Sequence, residues 1–248
     1  MPRSVVLAGT TRCDRCLLPP RWCICSALAM VTTGIEVDVL LHGREQWRPS
    51  STGKLIARCV TGASCRIYER HDRQRRPPAP DLGGSVPHAS ATSSPPRGPL
   101  AAEDVWILHP RGEPLPASDE GMGEAIPAVP PRRVVLLDGS WGEAEEMLRA
   151  VEQVGRRVRL SLSGQSRFWL REQRDTDHFS TAEALLAVFQ AAGDRAAESQ
   201  FRLHFELHVY ATLRARGHKQ LAADYLESSP LPKAIPAFLA ALDTRRPG

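Results

Sequence analysis

Four cysteines near the amino terminus have the residue type and the spacing of metal ligands. They form a C-x2-C-x6-C-x-C pattern within the run RCDRCLLPPRWCIC. Tetrahedral zinc takes four thiolates, which two short-range pairs supply once prolines turn the chain between them. Disulfides would need an oxidising compartment, and a redox C-x-x-C pair usually follows a strand that this sequence does not predict. We therefore expect a structural, non-catalytic zinc ion held by Cys13, Cys16, Cys23 and Cys25.

A second candidate for chemistry is the run DGSW at 138–141, which follows the strongest strand pattern in the chain. The continuous apolar run before it is typical of a central strand buried on both faces. Ser140 and Glu143 have the spacing of a capping box, which predicts that a helix begins here. Asp138 is then either a second cap for that helix or an ionised carboxylate available for chemistry. Trp141 either packs in the core or stacks on a base at a pocket mouth.

Three other polar clusters lie in predicted loops: one at 42–52, one at His109-Pro110 and one at 166–181. In the last of these, capping alone would explain the S-T-x-E pattern of 180–183. His204 and His208 stand four apart on a predicted helix, but without further ligands a half-buried helix face is favoured over a metal site. Cys59 and Cys65 are expected to be buried thiols.

The elements that must position these residues alternate along the chain. Because alternating strands and helices favour an α/β domain with a mainly parallel sheet, ligands are expected beyond the carboxyl ends of its strands. Proline and serine dominate 72–100, which predicts a flexible insertion. No P-loop and no G-x-G-x-x-G fingerprint is present. Strand patterns cover 35–41, 65–70, 105–110, 134–137 and 158–162, and helix patterns cover 54–60, 181–192 and 196–216 besides the helix after 140.

The composition excludes several classes of protein. The chain has 248 residues, 42% of them hydrophobic and 24% charged, with a net charge of +4. No apolar run reaches the roughly 18 residues of a membrane span, and the amino terminus lacks the pattern of a secretory signal, so we expect a cytoplasmic protein. Of the 32 basic residues all but three are arginines, which suits phosphate recognition but also reflects a GC-rich genome.

Taken together, six motifs resemble the DTW-domain family of tRNA-uridine aminocarboxypropyltransferases. They are RCDRC…WCIC, LLHGRE…SSTGKL, LHP, LDGSW, SRFWLR and STAEAL, in this order from Thr11 to about Phe189. Ser140 stands where the family usually has Thr, Gly43 stands where it often has Pro, and the 72–100 insertion has no recognised counterpart.

The resemblance implies a SPOUT-like α/β fold with a knotted carboxyl half and a small zinc-binding segment at 1–30. The catalytic domain would span 31–230, and 231–248 would form a tail. The implied reaction transfers the 3-amino-3-carboxypropyl group of S-adenosylmethionine to N3 of a uridine in tRNA.

Within this reaction, we hypothesise that Asp138 is the base or the group that positions N3. Asp138, Ser140 and Trp141 would be catalytic; Leu137, Gly139, His109, Pro110, Ser180, Thr181 and Glu183 would bind the donor; and Arg44, Lys54, Arg167 and Arg171 would bind RNA. Three alternatives stay open: an RNA methyltransferase of knotted fold, a transferase acting on ribosomal RNA, and a non-catalytic zinc-stapled RNA-binding protein. The sequence leaves the oligomeric state undecided.

Overall fold

The computed structural model describes residues 11–68, 100–114, 130–160, 162, 164–170 and 179–245. Its centre is a five-stranded sheet in the order β2-β1-β4-β3-β5, with every neighbouring pair parallel. The expected α/β class with a parallel sheet is therefore confirmed. The strands are β1 (Glu36–His42), β2 (Ser64–Tyr68), β3 (Val105–Pro114), β4 (Arg133–Asp138) and β5 (Arg156–Arg159).

Seven helices surround the sheet in the described part of the chain. The four predicted helices are present with bounds shifted by one or two residues, whereas the three after 216 were not predicted from the sequence. The segment expected as a tail carries two of them, and its Leu231, Leu239 and Leu242 are buried. The helices are α1 (Thr52–Cys59), α2 (Trp141–Val151), α3 (Thr181–Ala191), α4 (Arg195–Ala215), α5 (Lys219–Glu227), α6 (Leu231–Ala234) and α7 (Pro236–Thr244).

The sheet separates two apolar clusters, because successive side chains of a strand point to opposite faces. Val37 and Val39 of β1 belong to the larger cluster, which also contains the buried faces of α1, α3 and α4. Leu40 belongs to the smaller cluster, which Met147 of α2 completes on the opposite face. The fold is thus a three-layer arrangement with the sheet in the middle.

The cysteine-rich segment shares the main core and has no separate one. Cys16, Leu18, Trp22 and Ile24 are all members of the larger cluster. The short 3-10 turn Pro20–Trp22 contacts α4, and the Arg214 guanidinium of α4 lies 4.7 Å from the centre of the Trp22 ring. A segment with few apolar residues is therefore anchored by the domain that it joins.

Two strands differ from the sequence prediction at their ends. β5 covers 156–159 where 158–162 was expected, and β3 runs on to Pro114 with a register shift between Leu108 and Glu113. The polypeptide passes so close to β5 at Gly112 that a β-carbon there would collide with the backbone of Val158. Irregular pairing of this kind leaves no signal in side-chain periodicity. Apart from residue 100, the predicted insertion lies outside the described residues.

No described helix is both long and apolar enough to cross a bilayer.

A candidate active site at the carboxyl edge of the sheet

The connections from β1 and β4 lead in opposite directions across the sheet. The chain leaves β1 through α1 to reach β2 on one side, and it leaves β4 through α2 to reach β5 on the other. In open parallel sheets such a reversal opens a crevice beyond the carboxyl ends of the two strands, where ligands bind. This topology puts the expected crevice next to His42 and Asp138, at the ends of β1 and β4.

The Asp138 carboxylate is buried and joins two helices that are distant in sequence. The Ser51 hydroxyl donates to Oδ2 at 2.8 Å, the Gly53 N–H donates to the same oxygen at 3.2 Å, and the Thr181 hydroxyl donates to Oδ1 at 2.6 Å. Its hydrogen bonds within the described residues thus fix the starts of α1 and α3. The alternative that Asp138 is a second cap of α2 is wrong.

Gly53 is required by this arrangement. A β-carbon at this position would lie 2.8 Å from Asp138 Oδ2 and 2.8 Å from Val39 Cγ1. Any larger residue would therefore push α1 away from the carboxylate. Gly53 lies within a sequence motif, but no local pattern reveals its role, because the close approach involves residues far apart in the chain.

Glu183 is also buried, and its carboxylate organises the loop before α3. The Ser166 hydroxyl, the Arg167 N–H and both the N–H and the hydroxyl of Ser180 donate to it, at 2.7 to 3.0 Å. The Ser180 hydroxyl also accepts from the Glu183 N–H, which completes the expected capping box. These four hydrogen bonds leave the Glu183 carboxylate little capacity to accept another one from the ammonium group of a bound substrate.

The start of α2 carries a second capping box and an acid–imidazole pair. The Ser140 N–H donates to Glu143 Oε2 at 2.7 Å, as the sequence predicted. The other oxygen of Glu143 lies 3.1 Å from His42 Nδ1 and 3.7 Å from the Arg44 guanidinium. Partial burial alone would raise the pKa of Glu143, but Ser140, His42 and Arg44 together lower it below its ordinary value.

The His42 Nδ1 atom has two polar neighbours. The Arg44 N–H donates to it at 3.4 Å, and Glu143 Oε1 lies 3.1 Å from it. An ionised carboxylate only accepts hydrogen bonds, so Nδ1 bonds Glu143 only when the ring carries a proton there. The contact places a carboxylate where it would stabilise the imidazolium that forms when the ring accepts a substrate proton.

His109 occupies a similar corner at β3 but is enclosed. Its Nδ1 accepts from the Arg111 N–H at 3.2 Å, and its Nε2 lies 3.4 Å from Glu145 Oε1. Burial lowers the pKa of His109 despite the nearby carboxylate of Glu145. The neighbouring Pro110 is exposed, whereas the His109 ring is not accessible to a ligand in this conformation.

Two tryptophans are exposed at this edge of the molecule. Trp47, in the short turn after β1, is 80% exposed, and Trp141, the first residue of α2, is 47% exposed. Core packing, one of the two interpretations of Trp141, is therefore wrong. Trp47 was not singled out from the sequence, although a tryptophan among polar loop residues beside Arg44 and Arg48 was a usable signal.

The residues expected to bind RNA have different surroundings. The Arg44 side chain is 75% exposed. Lys54 Nζ donates to the Gln46 carbonyl at 2.6 Å, and burial lowers its pKa. The Arg167 guanidinium forms a bidentate pair with the buried Glu206, at 3.0 and 2.8 Å, and lies over the Tyr225 ring. Arg44 is thus open to a phosphate, whereas Lys54 and Arg167 are engaged within the protein, and Arg171 lies outside the described residues.

The four amino-terminal cysteines form a separate centre with the geometry of a zinc site. Their sulfur atoms all lie within 4.8 Å of one another, with Cys13 and Cys25 3.7 Å apart and Cys16 and Cys23 3.8 Å apart. Zinc–sulfur bonds of about 2.3 Å at tetrahedral angles require sulfur separations of about 3.8 Å. The cysteines are free thiols in this structure, so the expected ligand set fits a zinc ion. Cys59 is a buried thiol, as expected.

A family model for the DTW domain matches residues 10–214. The chain belongs to the DTW-domain family. The suspected resemblance is thereby confirmed, and the match covers the zinc cluster, the whole sheet and α1 to α3. A search of solved structures finds no match. Membership in the DTW family supports a tRNA-modifying enzyme at the family level.

Proposed function

We propose that this protein transfers the 3-amino-3-carboxypropyl group of S-adenosylmethionine to N3 of a uridine in tRNA. A bond forms between N3 and the γ-carbon of the donor while the bond from that carbon to the sulfonium sulfur breaks. The sulfur keeps the electron pair and leaves as the thioether of methylthioadenosine. The N3 proton must pass to a base, because protonated N3 is a poor nucleophile.

The observation that carries the proposal is the composition of the carboxyl edge. Aromatic faces stack on unpaired bases, and arginine binds phosphates. Here Trp47, Trp141 and Arg44 are exposed in the segments that follow β1 and β4, and β4 ends at the buried Asp138. A uridine must leave its stack to offer N3, since that edge normally pairs with another base. An exposed aromatic edge suits a splayed-out uridine.

The donor is assigned to the loops that follow β4 and precede α3. Ser140 is exposed at the start of α2, where N–H groups and the helix dipole favour a carboxylate. It therefore suits the carboxylate of the donor's amino-acid part. Leu137, Gly139 and Thr181 remain candidates for binding the other parts of S-adenosylmethionine. The knotted carboxyl half that the family implies is a further candidate for this role. Glu183 could pair with the donor ammonium only by releasing one of its present hydrogen bonds.

Between the two roles considered for Asp138, we assign it the positioning role. Its carboxylate already holds the starts of two helices, and removing it would disturb both sides of the crevice. We assign the N3 proton to His42, because Glu143 Oε1, 3.1 Å from Nδ1, would stabilise the imidazolium that forms. His42 was named in a loop cluster of the sequence but was not assigned this role.

Nucleoside mass spectrometry of tRNA incubated with the zinc-loaded protein and S-adenosylmethionine tests the function. We expect an aminocarboxypropyluridine and an equal amount of methylthioadenosine. Ribosomal RNA is assayed in parallel, to test the alternative of a transferase that acts on ribosomal RNA. A methyl adduct would instead establish the methyltransferase alternative. If the protein binds tRNA but leaves it unmodified, the alternative of a non-catalytic RNA-binding protein holds.

The same assay over a range of pH separates the two residues. His42→Gln should slow transfer about 100-fold at neutral pH, the lower limit for losing a general base, and recover as uridine itself ionises at high pH. Asp138→Asn should slow transfer at every pH and also lower the melting temperature. If His42→Gln keeps the wild-type rate at neutral pH while Asp138→Asn abolishes the pH dependence, Asp138 is the base.

A further inference from the structure

A second cationic site lies away from the carboxyl edge, between the cysteine cluster and two helices. A surface cleft there is lined by Arg15 of the cysteine-rich segment, Arg58 from the last turn of α1 and His204 of α4. Ile24, Leu28 and Met30 supply its apolar surface, and Met30 is 44% exposed. No acidic side chain lines the cleft in the described part of the chain. Positive groups without an acid favour an anion.

The arginine at the centre of the cleft is incompletely bonded. Arg58 Nη1 donates to the Arg15 carbonyl at 3.2 Å, whereas Arg58 Nη2 is buried without a hydrogen-bond partner among the described residues. A buried N–H group without an acceptor costs about 1–3 kcal/mol. Phosphate oxygens would satisfy it once the guanidinium turns towards the cleft, because this planar group matches a phosphate in two-point contact.

His204 is the third polar group of the cleft. Its Nε2 lies 2.7 Å from the Ala29 carbonyl and donates to it, so Nδ1 of the neutral ring has a lone pair and can bond a phosphate oxygen only when it is protonated. Burial and the charge of Arg58 lower the pKa of His204. A bound phosphate would therefore favour the protonated form of His204.

The helix α1 connects the cleft with the carboxyl edge. Its first turn is held by Asp138, and Arg58 follows Thr52 by six residues, so the two ends are roughly 9 Å apart along the axis. A strand of nucleic acid that offers one base to the carboxyl edge can therefore present a neighbouring phosphate to Arg58.

We infer that this cleft binds a backbone phosphate of the RNA substrate, and this inference rests on the proposed function. A zinc ion with four thiolates carries a net charge of −2, and Cys25 also lines the cleft. The arginines could therefore serve the metal centre instead of RNA. The two roles make different predictions for zinc content.

Binding of a tRNA transcript to the full-length, zinc-loaded protein tests the inference. Wild type, Arg15→Gln, Arg58→Gln and Arg202→Gln are compared over a series of salt concentrations, with zinc content measured for each. Arg202→Gln is the matched control. It also removes one positive charge, but Arg202 is on α4 and already pairs with Glu198. We expect Arg58→Gln to weaken binding about tenfold and to reduce the slope of log K against log salt by about one, with zinc unchanged. Arg15→Gln, at an exposed position, should act in the same direction.

Each other outcome overturns a different statement. If wild type does not bind tRNA, the proposed function fails and the inference fails with it. If wild type binds and both cleft variants behave like Arg202→Gln, the inference alone is wrong. If the cleft variants lose zinc in proportion to their loss of affinity, the arginines serve the metal centre and the cleft is not a phosphate site.

Discussion

Asp138, Glu143 and Glu183 each accept hydrogen bonds from groups that begin a helix or a loop. A buried carboxylate with several donors is held in one orientation, because each donor left without it would be unsatisfied. The acidic side chains around the crevice therefore fix backbone as well as offering charge.

His208 gives a prediction at the level of one side chain. It is fully buried in α4, neither ring nitrogen has a partner among the described residues, and burial lowers its pKa to about 3. The imidazole is thus neutral in the folded protein at pH values where the unfolded chain, with an ordinary histidine pKa near 6.5, binds a proton. Folding stability is then complete above pH 6.5 and falls by up to about 1.4 kcal/mol per pH unit towards pH 3.

Urea unfolding at pH 7 and pH 5 measures this effect. The free energy of unfolding of wild type should decrease by about 2 kcal/mol more than that of His208→Leu. Carboxylates and zinc ligands also titrate over this range, but they are common to both proteins and cancel in the comparison. Equal decreases in the two proteins would show that His208 is protonated in the folded state.

The starts of α1 and α2 offer a matched pair of glycines. Gly53 and Gly142 are each the second residue of their helix, but only Gly53 faces a buried carboxylate. A β-carbon at Gly142 meets nothing within 4 Å. The contrast isolates close packing from the general helix preference for alanine.

We expect Gly53→Ala to cost about 1–3 kcal/mol of stability, because α1 or Asp138 must move. Gly142→Ala should be neutral or stabilise by up to about 1 kcal/mol, since alanine favours helix. Thermal or urea unfolding measures both. Transfer activity of Gly53→Ala should fall more than that of Gly142→Ala, and a harmless Gly53→Ala would show that this contact does not position the crevice.

On the level of the complete fold, a zinc ion bound by the four cysteines and the domain would stabilise each other. Apolar residues between the cysteines pack into the main core, so releasing the metal would expose part of that core. Metal binding that depends on folding contributes to folding stability in turn. The amino-terminal segment therefore acts as a structural part of the domain.

We expect one zinc per chain by elemental analysis and a lower melting temperature after chelation. Cys16→Ser should lose the metal and show the lower melting temperature without chelator. Cys59→Ser is the control, because Cys59 is a buried thiol outside the cluster and should keep full zinc content. Full stability of the chelated protein would show that the segment is fastened by its apolar contacts alone.

The sequence by itself determined the central strand β4, both capping boxes, the four cysteines whose cluster fits a zinc ion, and the α/β class. Each of these depends on residues that are neighbours in the chain, where periodicity and spacing carry the information. The tertiary structure decided which groups meet at the crevice, because Ser51 and Thr181 contact Asp138 across 87 and 43 residues. It also decided that Arg167 pairs with Glu206 and that the segment after 230 packs as helices. Such partners depend on how layers stack, and no local pattern encodes that.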